Sequence, residues 1–304
     1  MIPLTTPVYL GEEEVRKHLA FGGLLPAVRK ALIDFSAGNI QQPVRSVLRV
    51  EEHDGWFGVM PAVAPEVFGA KLVTFFPGNT GKLPTHMAMI QLFRKETGEP
   101  LAVMDGRLIT EMRTAAVSAV AMDVLAPKKT PVLAFLGSGV QARSHLEALR
   151  LVRSFDEIRV WSPTRRNAEA FGVESGAKVC DSARSAVEGA SVVVTVTSSG
   201  EPVLRGEWLE TDTFVCAVGA VGPKRRELDT AAMQGRVVVE SRAAAMQESG
   251  DVLLAGTGVY AELGQILARP ELVEHGPRFV FKSLGIAATD IATAWMVLSK
   301  FQQA

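Results

Sequence analysis

Residues 131–143 read PVLAFLGSGVQAR, and this stretch decides the fold. The apolar, β-prone run 132–136 leads directly into GSGVQA at 137–142, and a helical pattern continues over 141–152. A strand, a glycine turn and a helix opening with G-x-G-x-x-A spacing are the signature of a dinucleotide site. Gly137 takes a tight turn that a Cβ would obstruct, Gly139 lets the backbone approach a pyrophosphate, and Ala142 lets helix pack on strand. The N–H groups of the opening helix, including those at Val140 and Gln141, then face the phosphates at the positive end of the helix dipole.

The segment beyond the glycines strengthens the reading. Strands are expected at 157–161, 177–180, 191–197, 214–218 and 236–240, with helices at 168–171 and 183–188. Strands alternating with helices predict an α/β fold, a parallel sheet covered on both faces. The end of the second strand selects the cofactor. An NAD site usually places Asp or Glu there. This chain has Ser162, Pro163, Thr164, Arg165 and Arg166 instead. Hydroxyls and guanidiniums suit a 2′-phosphate, so NADP(H) is expected over NAD(H). A solvated helix start is the competing reading of the two arginines. Ligands of such sheets lie beyond the carboxyl ends of the strands. Thr197, Val218 and Gly219 are therefore expected beside the nicotinamide ribose; Thr114, next to Arg113, is a separate candidate to reach the phosphates.

The residues before Pro131 have a different texture. Helices are expected at 12–19 and 25–36, and strands at 44–50, 56–61, 67–76, 85–93 and 101–104, with turns at HDG 53–55, PGNTG 77–81 and TGEP 97–100. This predicts an antiparallel or mixed sheet with two helices. A helix over 109–125 carries a small-residue face, and the polar connector after Pro127 marks the expected domain boundary. A last helix over 285–299 is expected to pack back on the first domain.

The chain has 304 residues, 47% of them apolar, a net charge of −1, two cysteines and five histidines. Near-zero charge argues against nucleic acid or an acidic membrane surface as partner. Cys180 and Cys216 sit on separate expected strands, as buried thiols of a reducing compartment. No metal-ligand spacing occurs. Residues 1–11 lack the pattern of a signal peptide, and no apolar run reaches transmembrane length, so a cytoplasmic enzyme is expected.

With these residues assembled, the chain resembles the ornithine cyclodeaminase/mu-crystallin family over essentially its whole length. The resemblance is carried by QPVR at 42–45, GVMPA at 58–62, KLV at 71–73, AVMDG at 102–106, RTAAVS at 113–118, the glycine motif, RELD at 226–229, ESGD at 248–251 and FKSLG at 281–285. Within the family it is most similar to ketimine reductases of the mu-crystallin type and to Δ1-pyrroline-2-carboxylate reductases. The resemblance implies a homodimer. It also implies two domains: a Rossmann dinucleotide-binding domain over 127–285, and an α+β substrate and dimerisation domain over 1–126, completed by 286–304.

Arg45, Lys71 and Arg113 are cations in apolar surroundings, and such groups are seldom buried without a partner. A substrate carboxylate is a natural partner for an Arg fork and a Lys point charge. The resemblance implies this role for all three. The expected chemistry is reduction of a cyclic ketimine carboxylate, Δ1-pyrroline- or Δ1-piperideine-2-carboxylate, to a cyclic amino acid. Lys71 is the candidate proton donor, its pKa lowered by burial and neighbouring charge; a bound water is the rival. Glu248 reads either as stabilising the iminium charge or as a cap or ion-pair partner. Met60 and Leu284 resemble substrate-wall positions and equally fit plain core. Val221 stands where cyclodeaminases carry an Asp, and Val can neither accept a proton nor orient a water. This disfavours ornithine cyclodeamination. An alanine or opine-type dehydrogenase, and a non-catalytic crystallin-like protein that binds NADPH or a small ligand, are the remaining alternatives.

Overall fold

The computed structural model describes residues 6–79, 81, 83–273, 276 and 278–304, so residues 1–5 of the N-terminal stretch and Thr80 of the expected turn lie outside the described residues. The chain divides into two units, Met1–Arg113 with Gly285–Ala304, and Thr114–Leu284.

The first unit contains β1 (Val8–Leu10), α1 (Glu12–His18), α2 (Phe21–Ser36), β2 (Ser46–Val50), β3 (Gly55–Val63), β4 (Val67–Phe75), β5 (His86–Arg94) and β6 (Pro100–Asp105). These strands form one mixed sheet in the order β1-β6-β5-β4-β3-β2, with β1 parallel to β6 and the other pairs antiparallel. The β4 sequence explains why one face is covered. Val67, Lys71 and Val73 are buried while Phe68, Ala70 and Leu72 between them are half-exposed, a period of two that puts alternate side chains on opposite faces. Leu24, Val28 and Leu32 form the buried stripe of α2. The helix α3 (Arg107–Leu125) follows β6.

The second unit opens with β7 (Val132–Leu136) and α4 (Val140–Arg150), then β8 (Glu157–Trp161), α5 (Arg165–Ser175), β9 (Lys178–Val179), α6 (Ala183–Val187), β10 (Val192–Thr195) and β11 (Phe214–Ala217). It continues with β12 (Arg236–Val239), α7 (Arg242–Glu248), α8 (Gly250–Ala255), β13 (Ala261–Glu262), α9 (Leu263–Ala268) and β14 (Phe279–Lys282). The sheet is parallel throughout, in the order β13-β12-β14-β11-β10-β7-β8-β9. From β9 to β11 this is the strand order of a Rossmann fold, with the topological switch between β7 and β10. Every residue of β10 and β11 is buried, as continuous apolar runs in a doubly covered sheet require. The final helix α10 (Ala287–Phe301) returns to the first unit and packs on α2, β3, β4 and β5.

Three details differ from the sequence expectation. The division falls inside α3, between Arg113 and Thr114, rather than at the polar connector. From there on the helix belongs with the nucleotide unit: Ala115, Ala116 and Ala119 are fully buried, and Ser118 Oγ lies 2.9 Å from His145 Nε2 of α4. The strands β1, β13 and β14 were not expected, and β14 is interior, between β11 and β12. Its run FVFK carries a buried lysine, Lys282, which breaks the apolar signal of a central strand. Residues 230–233 form a turn in which Asp229 Oδ1 accepts the Ala232 and Gly206 N–H groups. Cys216 is buried in β11, but Cys180, just past the edge strand β9, is only half-buried. No helix among the described residues is long and apolar enough to cross a membrane.

Candidate functional site

Three elements of the first unit bring the predicted cations together. Lys71 points from the covered face of β4, Arg113 from α3, and Arg45 from the segment before β2. Lys71 is 2% exposed and Arg113 4%, while Arg45 is half-buried. Their internal partner is a residue the sequence reading passed over. Asp290, in the first turn of α10, is completely buried. Its Oδ1 accepts the Arg113 Nε–H at 2.8 Å, and its Oδ2 lies 2.7 Å from Lys71 Nζ. The sequence reading expected a substrate carboxylate as their natural partner; Asp290 already supplies one carboxylate to Lys71 and Arg113 from within the first unit. Met60 is the cross-strand neighbour of Lys71 on the same face and is 3% exposed, walling the lysine with a flexible apolar side chain.

Lys71 and Arg113, two cations, share this one carboxylate. The charges acting on Lys71 include those of Asp290, Arg113 and Arg45. Burial, reinforced by the two guanidiniums and opposed by Asp290, lowers the Lys71 pKa to about 7. Burial works against the charge of Asp290, yet Arg113 and Lys71 hold its carboxyl below the usual range. Arg113 Nη1 is buried and has no hydrogen-bond partner. An unmade bond on a buried guanidinium is costly. A buried cluster with excess positive charge and an unused donor is built to receive an anion, and a planar carboxylate matches the fork.

Gly285 supports both arginines. Its carbonyl accepts the Arg45 Nη2–H at 2.7 Å, and its φ of +75° is left-handed. A Cβ there would stand 2.6 Å from Arg113 Nη1 and Nη2, so only glycine lets the guanidinium lie against this backbone.

The second unit carries the predicted nucleotide residues. Gly137 has a φ of +107°, its N–H donates to Trp161 O at 2.9 Å, and a Cβ would meet Val196 O at 2.7 Å. Gly139 is the N-cap of α4, without a side-chain cap, and the place of its missing Cβ is open space. The opening N–H groups of α4, at Val140 and Gln141, and the cradle left by Gly139 therefore fit a pyrophosphate. The turn is tied from behind. Arg143 Nη1 donates to Ser138 O at 2.7 Å, and His145 Nδ1 donates to Gln141 O at 2.7 Å. Burial drives the His145 pKa down to about 4, so the ring is neutral and purely structural at physiological pH. Thr114 is buried in α3, its carbonyl 3.2 Å from Ser118 Oγ.

At the end of β8, Ser162 is half-buried and Thr164, the N-cap of α5, makes no side-chain capping bond. Arg165 opens α5 and is exposed, pairing with Glu169 at 2.9 Å and Asp181 at 2.7 Å. Surface pairs of this kind contribute little and exchange readily for a phosphate.

Past the ends of β10 and β11, Thr197, Val218 and Gly219 are part-buried and held by a network absent from the sequence reading. Glu227, Asp251 and Lys282 are fully buried. Lys282 Nζ lies 3.0 Å from Asp251 Oδ2 and donates to Ala220 O at 2.7 Å. Asp251 Oδ1 accepts the Glu227 and Leu228 N–H groups at 2.8 and 2.9 Å. Glu248 ends α7, and its carbonyl accepts the Gly222 N–H at 2.8 Å. The Leu284 N–H donates to Glu240 Oε2 at 2.8 Å, and its side chain is buried.

The missed groups shared a signal. Asp290 and Lys282 are lone charges in otherwise apolar or small-residue runs, the same feature that singled out Lys71.

Comparison with known proteins agrees with this architecture. The model of the ornithine cyclodeaminase/mu-crystallin family matches residues 6–304. The ketimine reductase mu-crystallin of Mus musculus is 46% identical over 301 residues, 96% of each chain. The Δ1-pyrroline-2-carboxylate reductase of Thermococcus litoralis, solved with NADH and L-proline, superposes with a TM-score of 0.92 at 32% identity, covering 97% of this chain and 98% of that one. An archaeal alanine dehydrogenase dimer with bound NAD gives 0.91 at 32% identity, covering 98% and 96%.

Proposed function

The chain belongs to the ornithine cyclodeaminase/mu-crystallin family, and from that premise we propose that it reduces a cyclic ketimine carboxylate to a cyclic amino acid with NADPH. It is a nicotinamide-dependent reductase acting on a C=N bond, in keeping with the reductases and the NADH- and proline-bound structure it is similar to. The observation that carries the substrate class is the cluster around Asp290, with its excess positive charge and the unpaired Arg113 Nη1. The carboxylate of Δ1-pyrroline- or Δ1-piperideine-2-carboxylate takes that donor, with Lys71 and Arg45 adding charge.

Reduced nicotinamide, when bound, supplies the hydride for the imine carbon. The chain's own contribution is to orient the substrate, exclude water and hold a proton for the imine nitrogen. Lys71 is suited to the last task. It is buried, and its pKa of about 7 leaves it partly protonated near neutrality. Glu248 is the further candidate for stabilising iminium charge, and Leu284 for the substrate wall.

NADPH is favoured over NADH because β8 ends without a carboxylate and Thr164 and Arg165 have groups available to a 2′-phosphate. Ser162→Asp is expected to weaken NADPH and strengthen NADH, as seen in the ratio of the two kcat/KM values. A wild-type enzyme that already prefers NADH contradicts the assignment. The substrate class is tested by NADPH consumption across both cyclic ketimines, pyruvate with ammonia or methylamine, and ornithine with NAD. Turnover of pyruvate with an amine, but of neither ketimine, favours the alanine dehydrogenase reading. Ammonia release from ornithine restores the cyclodeaminase reading despite Val221.

The homodimer is assigned to the uncovered face of the first unit's sheet. Leu48, Phe57, Thr74 and Met87 form one cross-strand row and Ser46, Val59, Leu72 and Met89 the next. Leu48 is 63% exposed and Met89 45%. A sheet face on which exposed large apolar side chains outnumber the polar ones fits an association surface. Met89→Asp combined with Leu48→Asp is expected to convert a dimer to a monomer in light scattering. A double variant that keeps the wild-type mass places the interface elsewhere. The two free cysteines fit a reducing cytoplasmic setting.

A further inference from the structure

The carboxylate of Glu227 collects five hydrogen bonds, from Thr195 Oγ1 at 2.9 Å, Thr197 N at 2.6 Å, Thr197 Oγ1 at 2.7 Å, Gly219 N at 2.6 Å and Ala220 N at 3.2 Å. All five come from the carboxyl ends of β10 and β11, the two neighbouring strands past the topological switch. A buried charge satisfied this fully fixes what it touches. Gly219 and Ala220 send successive N–H groups into one oxygen, Oε2. No cis peptide occurs among the described residues, so the planar trans peptides point the carbonyls of Val218 and Gly219 the opposite way, away from Glu227. Among the described residues no hydrogen bond ends on either carbonyl oxygen, and both residues are part-buried. Buried or half-buried carbonyls are ordinarily paired.

We propose that Glu227 is a positioning residue for the nicotinamide end of the dinucleotide site: it pins the ends of β10 and β11 so that the Val218 and Gly219 carbonyls are presented as acceptors for the carboxamide amino group of the ring. This rests on the reading of Thr197, Val218 and Gly219 as nicotinamide neighbours. Asp251 and Lys282 brace the device from below. Asp251 fixes the Glu227 backbone through two N–H groups, and Lys282 holds the Ala220 carbonyl inward. Lys282 takes the Ala220 carbonyl, so the acceptors left without a hydrogen bond among the described residues are those of Val218 and Gly219.

The test is equilibrium binding, not turnover. NADPH and NADH are titrated by energy transfer from the protein's tryptophans, and 2′-phospho-ADP-ribose and ADP-ribose, which lack the nicotinamide, by calorimetry. Glu227→Gln replaces one acceptor oxygen with a donor that faces donors. It is expected to weaken both reduced dinucleotides about tenfold and the nicotinamide-free fragments by less than about twofold. Because Glu227 is buried, Thr197→Val serves as a second probe. It removes one hydroxyl donor and is expected to show the same selective loss to a smaller degree, with Thr197→Ser restoring wild-type binding. Equal loss for dinucleotides and fragments overturns the proposal, since the carboxylate then merely holds the domain together. So does unchanged dinucleotide binding in both variants. A wild-type protein that binds the fragments but neither reduced dinucleotide overturns the functional reading itself, and the proposal with it.

Discussion

Lys71→Met reduces kcat for the cyclic ketimine by roughly 10²- to 10⁴-fold, the usual contribution of a positioned proton donor. The Asp290 carboxylate keeps Arg113 as its partner, so the substrate's carboxylate site survives and KM moves much less than kcat. The pH profile identifies the proton. In the wild type the donor must be protonated, so kcat is level on the acid side and falls about tenfold per pH unit once pH rises through the Lys71 pKa of about 7. The neighbours of Lys71 set where that break lies. Asp290 raises the lysine's pKa and Arg113 lowers it. Asp290→Asn therefore moves the break to lower pH, and Arg113→Ala moves it to higher pH. A profile with no break near neutrality, or one that Asp290→Asn leaves in place, assigns the proton to water instead.

Arg113→Ala lowers kcat/KM for the ketimine roughly ten- to a hundredfold, since a charge-assisted bond at a buried site is worth about 1.5–3 kcal/mol. The loss falls mainly on KM, because the carboxylate is held equally in the ground and transition states. Arg113→Lys retains charge but loses the fork, so it recovers only part of the activity. Removing Arg113 also withdraws one of two partners from the buried Asp290 carboxylate, and breaking such a pair destabilises the fold by about 3–5 kcal/mol. Steady-state kinetics and thermal unfolding of the same samples separate the two effects. If Arg113→Ala and Arg45→Ala both leave reduction intact, the carboxylate is bound elsewhere.

Much of this architecture is legible in the chain because its signals are local. The run 132–142 contains the strand, the turn and the helix opening in one uninterrupted segment, and each glycine there has a steric reason. Lys71 and Arg113 stand out because a charge inside an apolar pattern demands a partner. The partner itself was not legible. Asp290 lies 177 positions from Arg113 in the chain and meets it only when α10 returns to the first unit. In sequence, α10 reads as packing, since its small residues and threonines announce close contact and mask a single acid. The same masking hid β14, whose buried Lys282 interrupts an otherwise apolar strand. Glu227 was visible as part of the RELD motif at 226–229, but its five donors come from strand ends that converge only in the folded sheet. The boundary inside α3 was hidden for a related reason. A helix continuous in sequence divides its contacts according to where its small residues pack, which the polar connector downstream does not report.

The most direct measurement is a crystal structure of the protein with NADPH and L-proline or L-pipecolate. The amino acid's carboxylate is expected within hydrogen-bond distance of Arg113 Nη1, with Lys71 Nζ turned between it and Asp290. A bound product whose carboxylate lies away from Arg113, with Lys71 and Arg113 engaged only with Asp290, would contradict this placement.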